Sequence, residues 1–137
     1  MTLTRKYKFA ASHRLHSPSL PDEKNQEIYG KCNNPYGHGH NYVLEVTVRG
    51  PVSRETGRIA NPGRLDEYVS NRVLQAYDHK DLNTDTPEFA GVVPTTENLS
   101  LAIWRRLEAN WESTFPGLIL DCVRMEETPR NSFEVTN

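Results

Sequence analysis

The stretch KCNNPYGHGHNYVLEV, Lys31 to Val46, sets two histidines two positions apart at the head of an alternating apolar run. A cysteine stands six residues before the first of them. On a strand, residues i and i+2 project to the same side. His38 and His40 therefore point together, on the side of Tyr42, Leu44, Val46 and Val48, which is the side destined for burial. Two buried imidazoles need two separate partners unless one cation satisfies both. KYKFAASHRL, Lys6 to Leu15, supplies a third: His13 is in phase with Tyr7, Phe9 and Ala11, whereas His16 falls on the other side of the pleat. Neutral imidazoles suit zinc, and three protein ligands leave a fourth position for water or substrate, as in catalytic sites. The expected ligands of one zinc ion per chain are His13, His38 and His40.

Cys32 leaves two readings open. As a fourth ligand it would close the site into a structural zinc centre. As a free thiol beside the metal it would be a nucleophile or general base, its pKa lowered by nearby positive charge. The turn NNPYG lets the thiol fold back toward the histidines without fixing how close it comes. Asp78-His79 follows a helical stretch directly, where the carboxylate could orient or charge the imidazole. Taken alone, the pair reads first as a solvated helix end, with the histidine near the negative end of the dipole. Glu127 continues the Ile119, Val123, Met125 face of a strand, and a carboxylate on an inward face must find donors. Glu126 points outward. Cys122, alternating with Leu118 and Leu120, reads as a small core residue.

Positioning these groups takes strands and helices in a definite order. Lys6–Leu15 and His38–Arg49 alternate as strands. Ser17–Gly37 between them, rich in Pro, Asn, Asp, Glu and Lys, reads as a long loop of the functional or mobile kind. GPVSRETG is a turn and RIAN a short returning strand. Arg64–Tyr77 reads as a helix, with Leu65, Tyr68, Val69, Val73 and Ala76 at helical spacing. A second helix follows VVPTTENL, capped by Thr95 or Thr96, with Glu97 suited to the dipole and Leu99, Ala102, Ile103, Leu107 and Trp111 facing inward. Leu118–Glu127 is a strand, paired across TPRNS with Phe133–Thr136. Strands adjacent by hairpin, with the helices grouped together, argue for an antiparallel α+β domain and against βαβ alternation.

The 137 residues suit a single domain, 1–137, large enough to fold without disulfides. Sixteen Lys and Arg against 18 Asp and Glu leave a net charge of −2, with no basic block or stripe for nucleic acid. No apolar stretch approaches the ~18 residues of a spanning helix, so no membrane partner is expected. MTLTRKYKFAAS has no apolar signal core, and Cys32 and Cys122 read as free thiols, which together give an expected cytoplasmic location.

FAASHRL, YGKCNNPYGHGHNY, DHKDLN, VVPTTENLSLAIW and the terminal EET together resemble the 6-pyruvoyltetrahydropterin synthase family, over about Lys8 to Thr128. On that resemblance the zinc ligands fall on His13, His38 and His40 and the catalytic cysteine on Cys32. The family's Asp-His pair falls on Asp78 and His79. Its pterin-anchoring glutamate falls on Glu127, with Thr95, Thr96 and Glu97 in the neighbouring pterin pocket. The resemblance implies the tunnelling fold: a four-stranded antiparallel sheet with two helices on one face, trimers closing into a barrel, and two trimers stacked into a homohexamer with sites between subunits. It also implies a zinc-dependent lyase of tetrahydrobiopterin biosynthesis, converting 7,8-dihydroneopterin triphosphate to 6-pyruvoyltetrahydropterin plus triphosphate. Magnesium, where required, would accompany the triphosphate.

The chain departs from the family pattern at Arg64, where an acidic residue often precedes the leucine that opens the first helix. NPGR also replaces a more apolar run, which implies a changed helix start. The related 6-carboxytetrahydropterin synthase of the deazapurine pathway shares the zinc site and substrate, but its cysteine commonly stands four residues before HGH. The six-residue spacing here resembles the pyruvoyl type. From another class, a non-catalytic zinc-stabilised binding module would use Cys32 as fourth ligand and would need neither Asp78-His79 nor Glu127.

Overall fold

A computed structural model describes residues 1–137. Strand β1, Thr2–His13, pairs antiparallel along its whole length with β2, His38–Arg49. The register sets His13 opposite His38 and Ala11 opposite His40. Strand β4, Ile119–Thr128, lies on the other side of β2 and continues by a hairpin into β5, Asn131–Thr136. Those four strands pair antiparallel, but they are not the whole sheet, which was expected to have four strands. The sheet has a fifth member, however: β3, Lys80–Asp81, runs parallel to β1 at Ala11 and Ser12, so the sheet is mixed, in the order β3-β1-β2-β4-β5. Two residues are too few to leave an alternating pattern, which is why the sequence did not announce it.

The helices cover one face of the sheet. Helix α2, Pro62–Val69, runs through a π-helical turn, Ser70–Leu74, into a last α-turn, α3, Gln75–Tyr77. Asn61 caps α2, its side chain accepting from the backbone N–H of Gly63 and Arg64, and Pro62 takes the first turn, where no N–H is needed. The helix thus begins two residues before its expected start. Arg64 finds partners of its own, donating to the Thr114 carbonyl at 3.2 Å and lying over the Phe115 ring. Helix α4, Thr96–Glu108, starts at Thr95, whose hydroxyl accepts from the Asn98 N–H at 3.1 Å. Trp111 is buried but belongs to a separate short helix, α5, Trp111–Thr114. Leu65, Val69, Val73, Leu99, Ile103 and Leu107 pack with Phe9, Tyr42, Leu44, Val46, Val123 and Met125 in a core of 23 buried residues.

Three further expectations give way. The segment Ser17–Gly37 is not an unstructured loop: it holds helix α1, Asp22–Tyr29, and a 3₁₀ turn, Gly30–Asn33. Helix α1 is held by the buried Asn25 side chain, which donates to the carbonyls of Ser17, Leu20 and Pro21, and so shows no apolar stripe. RIAN is not a strand; the turn before it closes with a Ser53 N–H to Arg58 carbonyl bond. Cys122 is only half-buried, because the β2–β4 register shifts at Thr47/Val48 and inserts Asp121 as an extra residue. That bulge changes which side each residue takes, so Leu118 and Leu120 face inward before it, and Val123 and Met125 after it.

Candidate active site and metal centre

The start of β2 is fixed to the end of β1 by backbone contacts. Gly37 has φ +72°, and a Cβ there would lie 2.9 Å from the His13 carbonyl oxygen, so only glycine fits this approach. The Leu15 N–H donates to the Cys32 carbonyl at 2.7 Å, and the Asn33 amide donates to the Leu15 carbonyl at 2.8 Å. These bonds bring the 3₁₀ turn, and Cys32 with it, beside His13.

The three histidines converge. The Nε2 atoms of His13, His38 and His40 form a triangle with sides of 3.2, 3.2 and 3.1 Å. His13 is 1% exposed, and its Nδ1 lies 2.9 Å from the Pro94 carbonyl oxygen. A carbonyl only accepts, so Nδ1 carries the proton and Nε2 turns a bare lone pair toward the other two rings. Each of the other rings has at most one Nε2 proton to offer, and the triangle has three sides. With His38 and His40 in the same tautomer, one cation would take all three lone pairs. The Cys32 Sγ joins the cluster, and all four ligand atoms lie within 4.8 Å of one another, so the group can hold a metal ion.

The protonation states suit that role. Burial pushes the His13 imidazole down to about 4, against the pull of the Pro94 carbonyl. Burial also lowers His40, although the Glu127 carboxylate opposes it. Burial, and then the negative charge of Glu127, raise the Cys32 thiol pKa, and a cation held by the histidines would act in the opposite direction.

Glu127 meets this cluster on its β4 side. Its Oε1 is 3.3 Å from His40 Nε2, and its Oε2 accepts a 2.5 Å hydrogen bond from the Thr96 hydroxyl. The β4–β5 register slips between Glu126 and Thr128, leaving Glu127 as an unpaired bulge residue free to turn toward the histidines. Of the expected pterin-pocket residues, Thr96 is therefore joined to Glu127, while Thr95 caps α4 and Glu97 is exposed to solvent.

Asp78 and His79 form a pair of their own, His79 Nδ1 lying 3.0 Å from Asp78 Oδ1. Asp78 also accepts from the Ala10 N–H at 3.0 Å, and the His79 N–H donates to the Ala10 carbonyl. His79 has φ 60°, an uncommon conformation for a residue with a side chain. Its ring is 83% exposed and lines a cleft of about 620 Å³ with Ser12, Gly39, His40 and Asn41. Within one chain, the pair is not brought to Cys32.

Two further groups at the site were not among the expected site residues. The Pro94 carbonyl is a backbone group, invisible in residue types. The Tyr42 hydroxyl is buried without a hydrogen-bond partner, its pKa raised by burial and by Glu127, and its ring lies 5.6 Å from that of His40. Its phase with His38 and His40 was the only available signal.

The chain is similar to known proteins along nearly its whole length. A family profile described as 6-pyruvoyl tetrahydropterin synthase matches residues 2–137. The 6-pyruvoyl tetrahydrobiopterin synthase of Drosophila melanogaster is 46% identical over 129 residues, covering 94% of this chain and 75% of that protein. The Homo sapiens enzyme of the same name is 44% identical over 129 residues, covering 94% and 86%. The structure of Caenorhabditis elegans 6-pyruvoyl tetrahydropterin synthase superposes with a TM-score of 0.88 at 38% identity, covering 100% of this chain and 95% of that one. With the profile spanning nearly every residue and these relatives spanning most of the chain, the protein belongs to the 6-pyruvoyl tetrahydropterin synthase family.

Proposed function

We propose that this chain is a zinc-dependent lyase that converts 7,8-dihydroneopterin triphosphate to 6-pyruvoyltetrahydropterin with loss of triphosphate, a step of tetrahydrobiopterin synthesis. The observation that carries the reading is the meeting of three histidine Nε2 atoms, the Cys32 thiol and the Glu127 carboxylate at one place. The donor set fits zinc: tetrahedral bonds of ~2.0–2.1 Å to nitrogen require N···N separations of roughly 3.3 Å, close to the sides of the histidine triangle. Held there, zinc supplies Lewis-acid polarisation of the substrate's side-chain hydroxyls.

The protein's own groups do the rest. Glu127, with one oxygen held by Thr96, accepts N–H groups of the pterin ring and sets its orientation, a bidentate role suited to a carboxylate. Cys32 removes a carbon-bound proton. Asp78 and His79 serve the proton transfers from a neighbouring subunit, a role motivated by the exposure of this pair within its own chain. The subunits are proposed to close into trimers and stack as a homohexamer; the open edge of β5 is a liability that closure removes. A stable monomer by light scattering at micromolar concentration would defeat the shared site.

The test is mass spectrometry of the product formed from purified protein, zinc and dihydroneopterin triphosphate. A pterin keeping its three-carbon side chain, with triphosphate released in equal amount, is expected. A 6-carboxy pterin with stoichiometric acetaldehyde would assign the chain to the carboxy branch instead.

A further inference from the structure

The histidine triangle has corners with different neighbours. At His40, Glu127 comes within 3.3 Å. His38 instead lines a cavity of about 560 Å³, shared with Gln26, Lys31, Asn33 and Asn34, and no hydrophobic residue contributes to its wall. Such a lining has little to offer an apolar ligand and much to offer an anion. Lys31 is exposed and enters no ion pair, while the nearby Lys24 is engaged with Glu27 at 3.3 Å. Arg14 does not line the cavity but is tied to its wall, its Nε donating to the Asn33 carbonyl at 3.3 Å. Asn33 is itself buried and held by its bond to Leu15, so this wall is preformed.

From these positions we infer that the cavity between α1 and His38 receives the triphosphate tail of the substrate, with Lys31 as its principal cation and Gln26 and Asn34 as neutral donors. The inference rests on the pterin reading above for the identity of the tail. A substrate whose ring is held at Glu127 and whose three-carbon side chain crosses the histidine cluster emerges on the His38 side. There its polyanionic end meets a polar, cationic wall. The 3₁₀ turn that carries Cys32 carries Lys31 one residue earlier, so a tail seated in the cavity would set the reacting carbons relative to the thiol.

Inorganic triphosphate is the direct probe, titrated by calorimetry into the zinc-loaded protein, with no turnover needed. Charge-assisted hydrogen bonds contribute about 1.5–3 kcal/mol, so Lys31→Gln should weaken triphosphate binding roughly 10- to 100-fold. Gln26→Glu, on α1 and away from the thiol, places a like charge in the cavity and should weaken it comparably. Both should raise KM for dihydroneopterin triphosphate more than they lower kcat, and leave the affinity for dihydroneopterin, which has no phosphates, near that of the parent protein. Triphosphate affinity unchanged in both variants would overturn the assignment, as would equal losses for triphosphate and dihydroneopterin. A parent protein that binds triphosphate in this cavity yet never turns over dihydroneopterin triphosphate would instead overturn the lyase reading.

Discussion

Cys32→Ala and His40→Ala should part company over zinc. The Nε2 triangle has sides of 3.1–3.2 Å, already near the ~3.3 Å that tetrahedral nitrogen ligation requires. A thiolate ligand at ~2.3 Å would need to stand roughly 3.6 Å from each nitrogen, and the Cys32 Sγ lies within 4.8 Å of the three histidine ligand nitrogens. If structural zinc sites gain about 10–16 kcal/mol from four ligands, each contributes ~2.5–4 kcal/mol, or roughly 70- to 900-fold in affinity. His40→Ala, dialysed against a chelator that the parent protein withstands, should therefore emerge without zinc and without turnover. Cys32→Ala, treated alongside it, should keep one zinc per chain by elemental analysis while its turnover falls by more than ~1,000-fold, the scale seen when a group central to the chemistry is removed. Zinc lost from both variants in parallel would close the site into a structural centre and refute the catalytic role given to Cys32.

Other perturbations read other parts of the molecule. Gly37→Ala should cost about 2 kcal/mol or more, because it forces a side chain to φ +72° against the His13 carbonyl; a fall in Tm smaller than about 3 °C would contradict this. Glu127→Gln should keep zinc while weakening pterin binding about 10-fold or more, measured by fluorescence titration, since the amide replaces one of the two accepting oxygens with an NH2 donor and removes the charge. For Glu88, burial works to raise the pKa, but the bonds from Arg106 and Tyr77 win and leave it below the ordinary value of 4.5. A folded pKa below the unfolded one stabilises at pH above about 4.5 and loses that stability as pH falls through the folded value. Glu88→Gln should therefore narrow the stability difference from the parent protein between pH 5 and pH 3, and a gap constant across that range in denaturant titrations would count against it.

The histidine cluster was legible because β1 and β2 are regular: period two held unbroken from Tyr7 to His13 and from His38 to Val48, so phase alone chose His13 over His16. The same logic failed on β4, where the extra residue at Asp121 changes the phase without any marker in composition. Cys122 was drawn into the core and Ile119 onto the inner face for that reason. Glu127 was placed on the inner side, yet its aim depends on a second bulge that the alternation did not disclose. Helix α1 was illegible because its stabilising side chain, Asn25, is polar and bonds locally, leaving no apolar stripe to read. The split of Thr95, Thr96 and Glu97 into a cap, a partner of Glu127 and a solvent-facing residue is a matter of helix geometry that one cap position decides.

The pairing of His13 with His38 couples metal affinity to the correctness of folding. A slip of β2 by one residue along β1 would keep most backbone hydrogen bonds but turn His38 and His40 to the outer face, together with every apolar residue of the strand. Misaligned hairpins would then present one imidazole where the native chain presents three. Metal at a given free concentration favours the native alignment by mass action and leaves the slipped one unaided. The ion would thus act as a proofreader of strand alignment, and chains made in its absence would suffer first in the yield of correctly folded protein.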